Sequence, residues 1–141
     1  IKAALDLGVK KFLLGIGGSA TVDGGQGMLT ALGVRFLDKN NMPINQGGGF
    51  LGEISKIDIT GLDKRIKDLD ILVACDVDNP LCGNQGAAII YGPQKGADEE
   101  MVAKLEYNLA HYAERIKEQL GKDIIDLPGA GAAGDALAQY R

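Results

Sequence analysis

Gly15-Ile-Gly-Gly-Ser-Ala-Thr-Val-Asp-Gly-Gly25 and Ala74-Cys-Asp-Val-Asp-Asn-Pro-Leu-Cys-Gly83 decide how this chain is read. Each stretch follows a short apolar run, 11–14 in the first case and 71–74 in the second, that reads as a buried strand. Glycines let a backbone approach a ligand closely and aim its N–H groups at an anion. The aspartates beside them offer a metal ligand or a proton acceptor. An anion cradle next to a carboxylate suits phosphoryl transfer, in which positioning and charge neutralisation do most of the work.

Working outward, apolar runs alternate with helical patterns. Residues 1–7 read as the end of an amphipathic helix closed by Gly8, 9–15 as a strand, and 24–32 as a helix with Asp23 at its N-cap. A short strand over 34–37 precedes a turn that starts at Asp38. Residues 45–52 read as a polar, glycine-rich loop free to move, 56–59 as an edge strand, 63–67 as a short helix and 70–75 as a second strand. The apolar stretch 87–91 is too short to type from its period.

The longest helix is expected over 99–120. Met101, Leu105, Leu109, Tyr112, Ile116 and Leu120 make one stripe, with Asp98 as N-cap and Gly121 at the stop. His111 lies off that stripe and is expected to face solvent without a catalytic role. Together these elements predict one α/β domain over 1–141, a layered and mainly parallel sheet with flanking helices.

Composition narrows the function classes. The 21 glycines in 141 residues are about twice the usual ~7%. With aromatics at 5% and no Trp, the core must come from Ile, Leu, Val and Ala. A net charge of -4 with dispersed basic residues argues against nucleic acid or a membrane surface as partner. No apolar run approaches the ~20 residues of a membrane span. Cys75, Cys82 and a single histidine cannot assemble a zinc site, and reduced thiols in a cytoplasmic protein are the expectation.

Two rival readings concern the first loop. Gly15-x-Gly17-x-x-Ala20 fits a relaxed dinucleotide fingerprint, with Asp38 near the place of a ribose-binding acid. Against it, Ser-Ala-Thr-Val-Asp separates Gly17 from the predicted helix start, and Asp23 would meet a pyrophosphate with like charge. The P-loop pattern G-x-x-x-x-G-K-[ST] is absent. The plainer alternative is a tight turn in which Asp23 merely caps a helix. For Asp76 and Asp78 it is a pair of solvated turn aspartates before Pro80, and for Lys95 a solvated loop lysine.

Four motifs in order, Gly17-Gly-Ser-Ala-Thr-Val-Asp-Gly-Gly25, Val73-Ala-Cys-Asp-Val-Asp-Asn-Pro-Leu-Cys-Gly83, Tyr91-Gly-Pro-Gln-Lys-Gly-Ala97 and Pro128-Gly-Ala-Gly-Ala-Ala-Gly134, resemble the bacterial glycerate kinase family, type I. The resemblance covers nearly the whole chain, while family members are much longer. It implies ATP-dependent phosphorylation of D-glycerate to a phosphoglycerate by a two-domain α/β enzyme with an interdomain cleft, of which this chain would be a central segment, inactive by itself. Carried over, it places Gly17, Gly18, Ser19, Thr21, Gly24 and Gly25, then Asn79 and Gln94, at substrate or nucleotide. Within those positions, Asp76 or Asp78 is expected to hold Mg²⁺, Asp23 to accept or orient the substrate hydroxyl proton, and Lys95 to neutralise the transferring phosphate. Asp76 also counts among the catalytic candidates.

Two residues depart from the pattern: Val22 stands where relatives carry Asn, and Asp135 where a Gly continues the tail motif. The family's N-terminal Asp-Ser-Phe-Lys-Gly-like motif is absent. A non-catalytic module that self-associates into a homo-oligomer through a face normally covered by the rest of an enzyme is the reading from another class.

Overall fold

The structure, a computed structural model, describes residues 1–132. Asp135 and the helix expected after the tail motif lie outside them.

Two strands carry the two loops. β1 (Lys11–Gly15) pairs in parallel with β4 (Asp70–Ala74), and the register sets Leu13 opposite Leu72 and Gly15 opposite Ala74. Because Gly15 and Ala74 open the two quoted loops, parallel pairing places both loops side by side at one sheet edge. Ligand crevices form at that carboxyl end in open α/β sheets. The β1 and β4 runs read as buried strands, and neither is fully buried. Phe12 and Ile71 pack against the core and Leu14 and Val73 are half-buried, while Leu13 and Leu72 are 68% and 67% exposed, since none of the described elements covers that face.

The second sheet runs the other way. β2 (Arg35–Leu37) pairs antiparallel with β3 (Lys56–Asp58), and Arg35 forms an ion pair with Asp58 across the ladder. Among the described residues, parallel pairing therefore holds for β1 and β4 only. Alternation marks a strand in a sequence, but partner and direction depend on contacts far apart in the chain.

Helices pack between and around these pairs. α1 (Lys2–Asp6) ends before Gly8, whose φ of +76 reverses the chain into β1. α2 spans Gln26–Ala31, shorter than expected, because Gly24 and Gly25 take φ values of +57 and +80 that no right-handed helix accommodates. The 87–91 stretch is helical, α3 (Ala87–Tyr91), and buries Ala87 and Ala88.

α4 (Glu99–Leu120) has the expected ends. The Asp98 carboxylate accepts from the Met101 N–H at 2.8 Å, and Gly121 closes the helix at φ +70. Leu109, Tyr112 and Ile116 are at the centre of the core with Leu29, Leu51, Ile54 and Ile66, and Phe36 meets the Tyr112 ring edge-on at 5.8 Å. Leu105, Leu109, Tyr112, Ile116 and Leu120 of the expected stripe are buried or packed against the core; Met101 is 53% exposed, and Asn108 is buried as well. His111 likewise departs from expectation, for it is half-buried and its Nε2–H donates to the Ile54 carbonyl at 2.7 Å.

The glycine-rich stretch expected to be free is packed. Gly48–Glu53 forms a 3₁₀ helix against α4, where Asn108 Nδ2 donates to the Gly48 carbonyl at 2.7 Å. A Cβ on Gly48 would lie 1.9 Å from the Val22 carbonyl oxygen, so only glycine fits there. A similar crossing brings Gly33 and Gly61 together, each with no room for a Cβ because of the other's carbonyl oxygen, at 2.0 and 2.6 Å.

Candidate active site

The loop after β1 turns through Gly18 at φ +73. A Cβ built on Gly17 meets nothing within 4 Å, so no neighbour in the fold demands glycine at that position. What a missing side chain leaves there is open access to the backbone, the property an anion cradle requires.

A cleft of about 600 Å³ lies against this loop. Gly17, Gly18 and Ser19 form one wall, Cys75 and Asp76 from the end of β4 a second, and Tyr91, Gln94 and Lys95 a third. Gly131 and Ala132 close it from the tail. A smaller cavity of about 300 Å³ holds Thr21, Asp23 and Gly24 and shares Tyr91, Lys95, Gly131 and Ala132 with the first.

Lys95 joins the walls. Its Nζ donates to Ser19 Oγ and to the Thr21 carbonyl, both at 2.7 Å, and lies 6.0 Å from the Tyr91 ring centroid. Burial pulls the lysine's pKa below its ordinary value, and the negative charge of Asp23 partly opposes that. The ammonium is thus a cation held at the glycine loop, not a freely solvated loop lysine.

Asp23, expected both as a helix cap and at the substrate hydroxyl, holds the start of α2, with Gly25 at the N-cap position itself. Its Oδ1 accepts from the Gly25 N–H at 3.0 Å and its Oδ2 from the Gly27 N–H at 3.0 Å, with Thr21 Oγ1 at 3.4 Å. Both oxygens are engaged by the free amides that begin α2, the arrangement of a helix cap. Gly24 and Gly25 shape the same turn: a Cβ on Gly24 would lie 2.8 Å from the Tyr112 ring.

The second loop divides in the same manner. Asp76 reaches the cleft, while Asp78 is exposed and lines neither cavity. The Asn79 carboxamide is turned to protein, with Nδ2 donating to the Gln85 carbonyl at 2.8 Å and Oδ1 accepting from the Tyr91 hydroxyl at 2.7 Å. Cys75 is exposed at the cleft and Cys82 is buried; both are free thiols.

Sequence reasoning passed over Tyr91, Cys75, Gly131 and Ala132 as lining residues. Tyr91 opens one of the four quoted motifs and Gly131 lies inside another, so the motifs carry the signal although neither residue bears a charge.

The dinucleotide reading does not survive the geometry. α2 begins at Gln26, well past Gly17, so its amides cannot receive a pyrophosphate resting on that loop. The Asp38 carboxylate accepts from the Asn40 and Met42 N–H groups as a turn residue, which holds its pKa below the usual carboxylate range.

As a donor set for a metal, the described residues contain no cluster of three His, Cys, Asp or Glu side chains. Mg²⁺ needs no such cage, for it takes one or two carboxylates plus substrate phosphates. Asp76 beside the glycine loop fits that mode. Among the described residues no helix is long and apolar enough to cross a membrane.

A glycine loop with open backbone, a held ammonium and one carboxylate are gathered at the carboxyl end of the parallel strands of this α/β domain, groups whose chemistry suits an anion. Comparisons with known proteins make the class specific. The sequence profile of the Glycerate kinase family matches residues 1–138, and the chain belongs to that family.

Among curated relatives, a glycerate kinase of Halalkalibacterium halodurans is 55% identical over 93% of this chain and 34% of its own length. A glycerate 2-kinase of Escherichia coli is 56% identical over 95% of this chain and 35% of its own length. The crystal structure of a Salmonella typhimurium LT2 protein described as a glycerate kinase 2 superposes with a TM-score of 0.94 at 49% identity, covering 99% of this chain and 38% of that one. The chain thus spans about a third of the length of the curated relatives it matches.

Proposed function

We propose that this chain is the phosphate-handling segment of an ATP-dependent D-glycerate kinase. The γ-phosphoryl group passes from ATP to a glycerate hydroxyl and ADP departs. The observation that carries the reading is the meeting of three separate segments, Gly17–Ser19, Asp76 and Lys95, on one cleft. Such transfer asks the protein mainly for position and charge stabilisation. The open amides of the glycine loop and the Lys95 ammonium supply positive potential for phosphate oxygens, and Gln94 adds a polar side chain to the same wall.

Mg²⁺, when bound with the nucleotide, would supply charge neutralisation for the phosphates. We assign Asp76, which lines the cleft, as the carboxylate that would hold it, in preference to Asp78, which lines neither cavity. Thr21 and Asn79, expected at substrate or nucleotide, also hold the loops: the Thr21 carbonyl receives Lys95, and Asn79 binds Gln85 and Tyr91. The E. coli relative is named a glycerate 2-kinase, and we assign transfer to the 2-hydroxyl here on that likeness.

The test uses the full-length kinase that carries this segment, with the phosphoglycerate product identified by NMR. Asp76→Asn should lower kcat by ~100-fold or more at saturating Mg²⁺ and weaken Mn²⁺ binding in a titration, while Asp78→Asn stays within about tenfold. Near-normal turnover in Asp76→Asn would remove the assignment, and a 3-phosphoglycerate product would correct the regiochemistry.

A further inference from the structure

Residues 87–95 bridge the two loops beyond the strand pairing from which both start. α3 runs to Tyr91, Gly92 ends it, and the 3₁₀ turn Pro93–Lys95 follows at once. Tyr91 and Lys95 are four residues apart on this continuous piece and reach in different directions. Tyr91 donates its hydroxyl to Asn79 in the acidic loop, while Lys95 donates to Ser19 and Thr21 in the glycine loop.

The base of the piece has no slack: a Cβ on Gly92 would meet the Ala88 carbonyl oxygen at 2.3 Å and Val102 of α4 at 3.2 Å. On the far side the tail presses the acidic loop. The Gly131 N–H donates to the Asn79 carbonyl at 2.9 Å, and a Cβ on Gly131 would lie 2.2 Å from the Pro80 carbonyl oxygen.

The direction of the Tyr91 bond follows from chemistry. The Gln85 carbonyl can only accept, so the Asn79 atom facing it is the NH₂ group. The atom facing Tyr91 is then the amide oxygen, and the phenol must donate. Asn79 is held at both ends of its carboxamide and at its own carbonyl, which makes it an anchor for the loop that begins three residues earlier at Asp76.

We propose that α3 and its 3₁₀ turn form a strap that sets the separation of the two loops, and that Tyr91, through Asn79, is a positioning residue for phosphoryl transfer. The proposal rests on the reading of the cleft as the phosphate site. Displacing a reacting group by about 1 Å is enough to cost ~100-fold in rate, so a residue that holds Asp76 in place matters without touching substrate.

The experiment compares Tyr91→Phe, Asn79→Ala and the double variant in the full-length kinase. Two readouts are taken: glycerate phosphorylation, and backbone hydrogen exchange of segment 75–83 without nucleotide. Tyr91→Phe keeps the ring and removes only the donor. Exchange in segment 75–83 should quicken by roughly tenfold, the factor one lost hydrogen bond of ordinary strength carries. kcat should fall by about tenfold or more with the KM for glycerate little changed. The double variant should be no slower than Asn79→Ala alone, because both substitutions break one link.

Unchanged exchange in Tyr91→Phe overturns the strap whatever the kinetics do. Quickened exchange with unaltered kcat, or multiplicative losses in the double variant, overturns the positioning role. If Tyr91→Phe fails to fold, Asn79→Ala is read alone by the same criteria. A wild-type kinase that does not phosphorylate glycerate sinks the functional reading, and hydrogen exchange alone then decides the strap.

Discussion

Replacing Gly48 by alanine tests whether the glycine-rich stretch beside the first loop is packed or free. The added Cβ would lie 1.9 Å from the Val22 carbonyl oxygen and 2.6 Å from Leu105 Cδ2. Carbon and oxygen rest comfortably at about 3.5 Å, so roughly 1.5 Å must be recovered by moving the backbone. Overpacking of this kind costs ~1–3 kcal/mol and sometimes more. We expect about 2–4 kcal/mol here, because a peptide group and not a flexible side-chain tip is in the way.

Unfolding entropy near 2.1 cal/mol/K per residue gives ~300 cal/mol/K for a chain of this length. The expected loss then corresponds to a fall in Tm of about 7–13 °C. Gly49, one residue on, is the internal control: a Cβ there meets nothing within 4 Å. Gly49→Ala should stay within about 2 °C of the parent. Thermal unfolding followed by circular dichroism decides it. If both variants melt within ~2 °C of each other, the stretch is loose and the packing argument fails.

Two further outcomes follow from single groups. Asp23→Ala removes the acceptor for the Gly25 and Gly27 amides and should lower stability by about 1–2 kcal/mol, whereas Asp23→Asn should keep kcat within about tenfold in the full-length kinase. A ~1,000-fold loss in a well-folded Asp23→Asn would return that aspartate to the chemistry. Cys82 gives a pH dependence with a definite sign. Burial, with Glu106 and Asp126 nearby, pushes its thiol from 9.0 up to about 12 in the folded chain. The unfolded chain then holds fewer protons between those values, so this contribution is complete below pH 9 and is lost as pH rises toward 12. By linkage, wild type should lose up to about 2 kcal/mol relative to Cys82→Ala by pH 10.5. A difference that stays flat from pH 8 to 10.5, in denaturant titrations, would contradict the burial.

What was legible in the sequence is what local chemistry dictates. Asp98 and Gly121 bracket α4 because a carboxylate at an N-cap and a glycine past a C-terminus each answer to amides or carbonyls within one turn. β1 and β4 with their loops were readable for the same reason. The antiparallel pairing of β2 with β3 was not, since Arg35 and Asp58 meet only after the chain folds. Nor was the fit of Gly48 under Val22, because a glycine required by a distant carbonyl looks in sequence like one in a free loop.

The site shows the same division. The glycine loop, Asp76 and Lys95 were found as chemical types in a suggestive place. The capping contacts of Asp23 were legible, whereas the inward turn of Asn79 and its hold by Tyr91 were hidden. A carboxylate or amide has the same letter whether it faces a ligand or a peptide group.

The meeting of Gly33 with Gly61 bears on how this chain can diverge. Neither position has an atom to surrender, so no mutation at one can relieve a larger residue at the other. Any lineage that leaves glycine at either place must first move two backbones apart, and descendants are therefore expected to vary everywhere around that crossing before they vary at it.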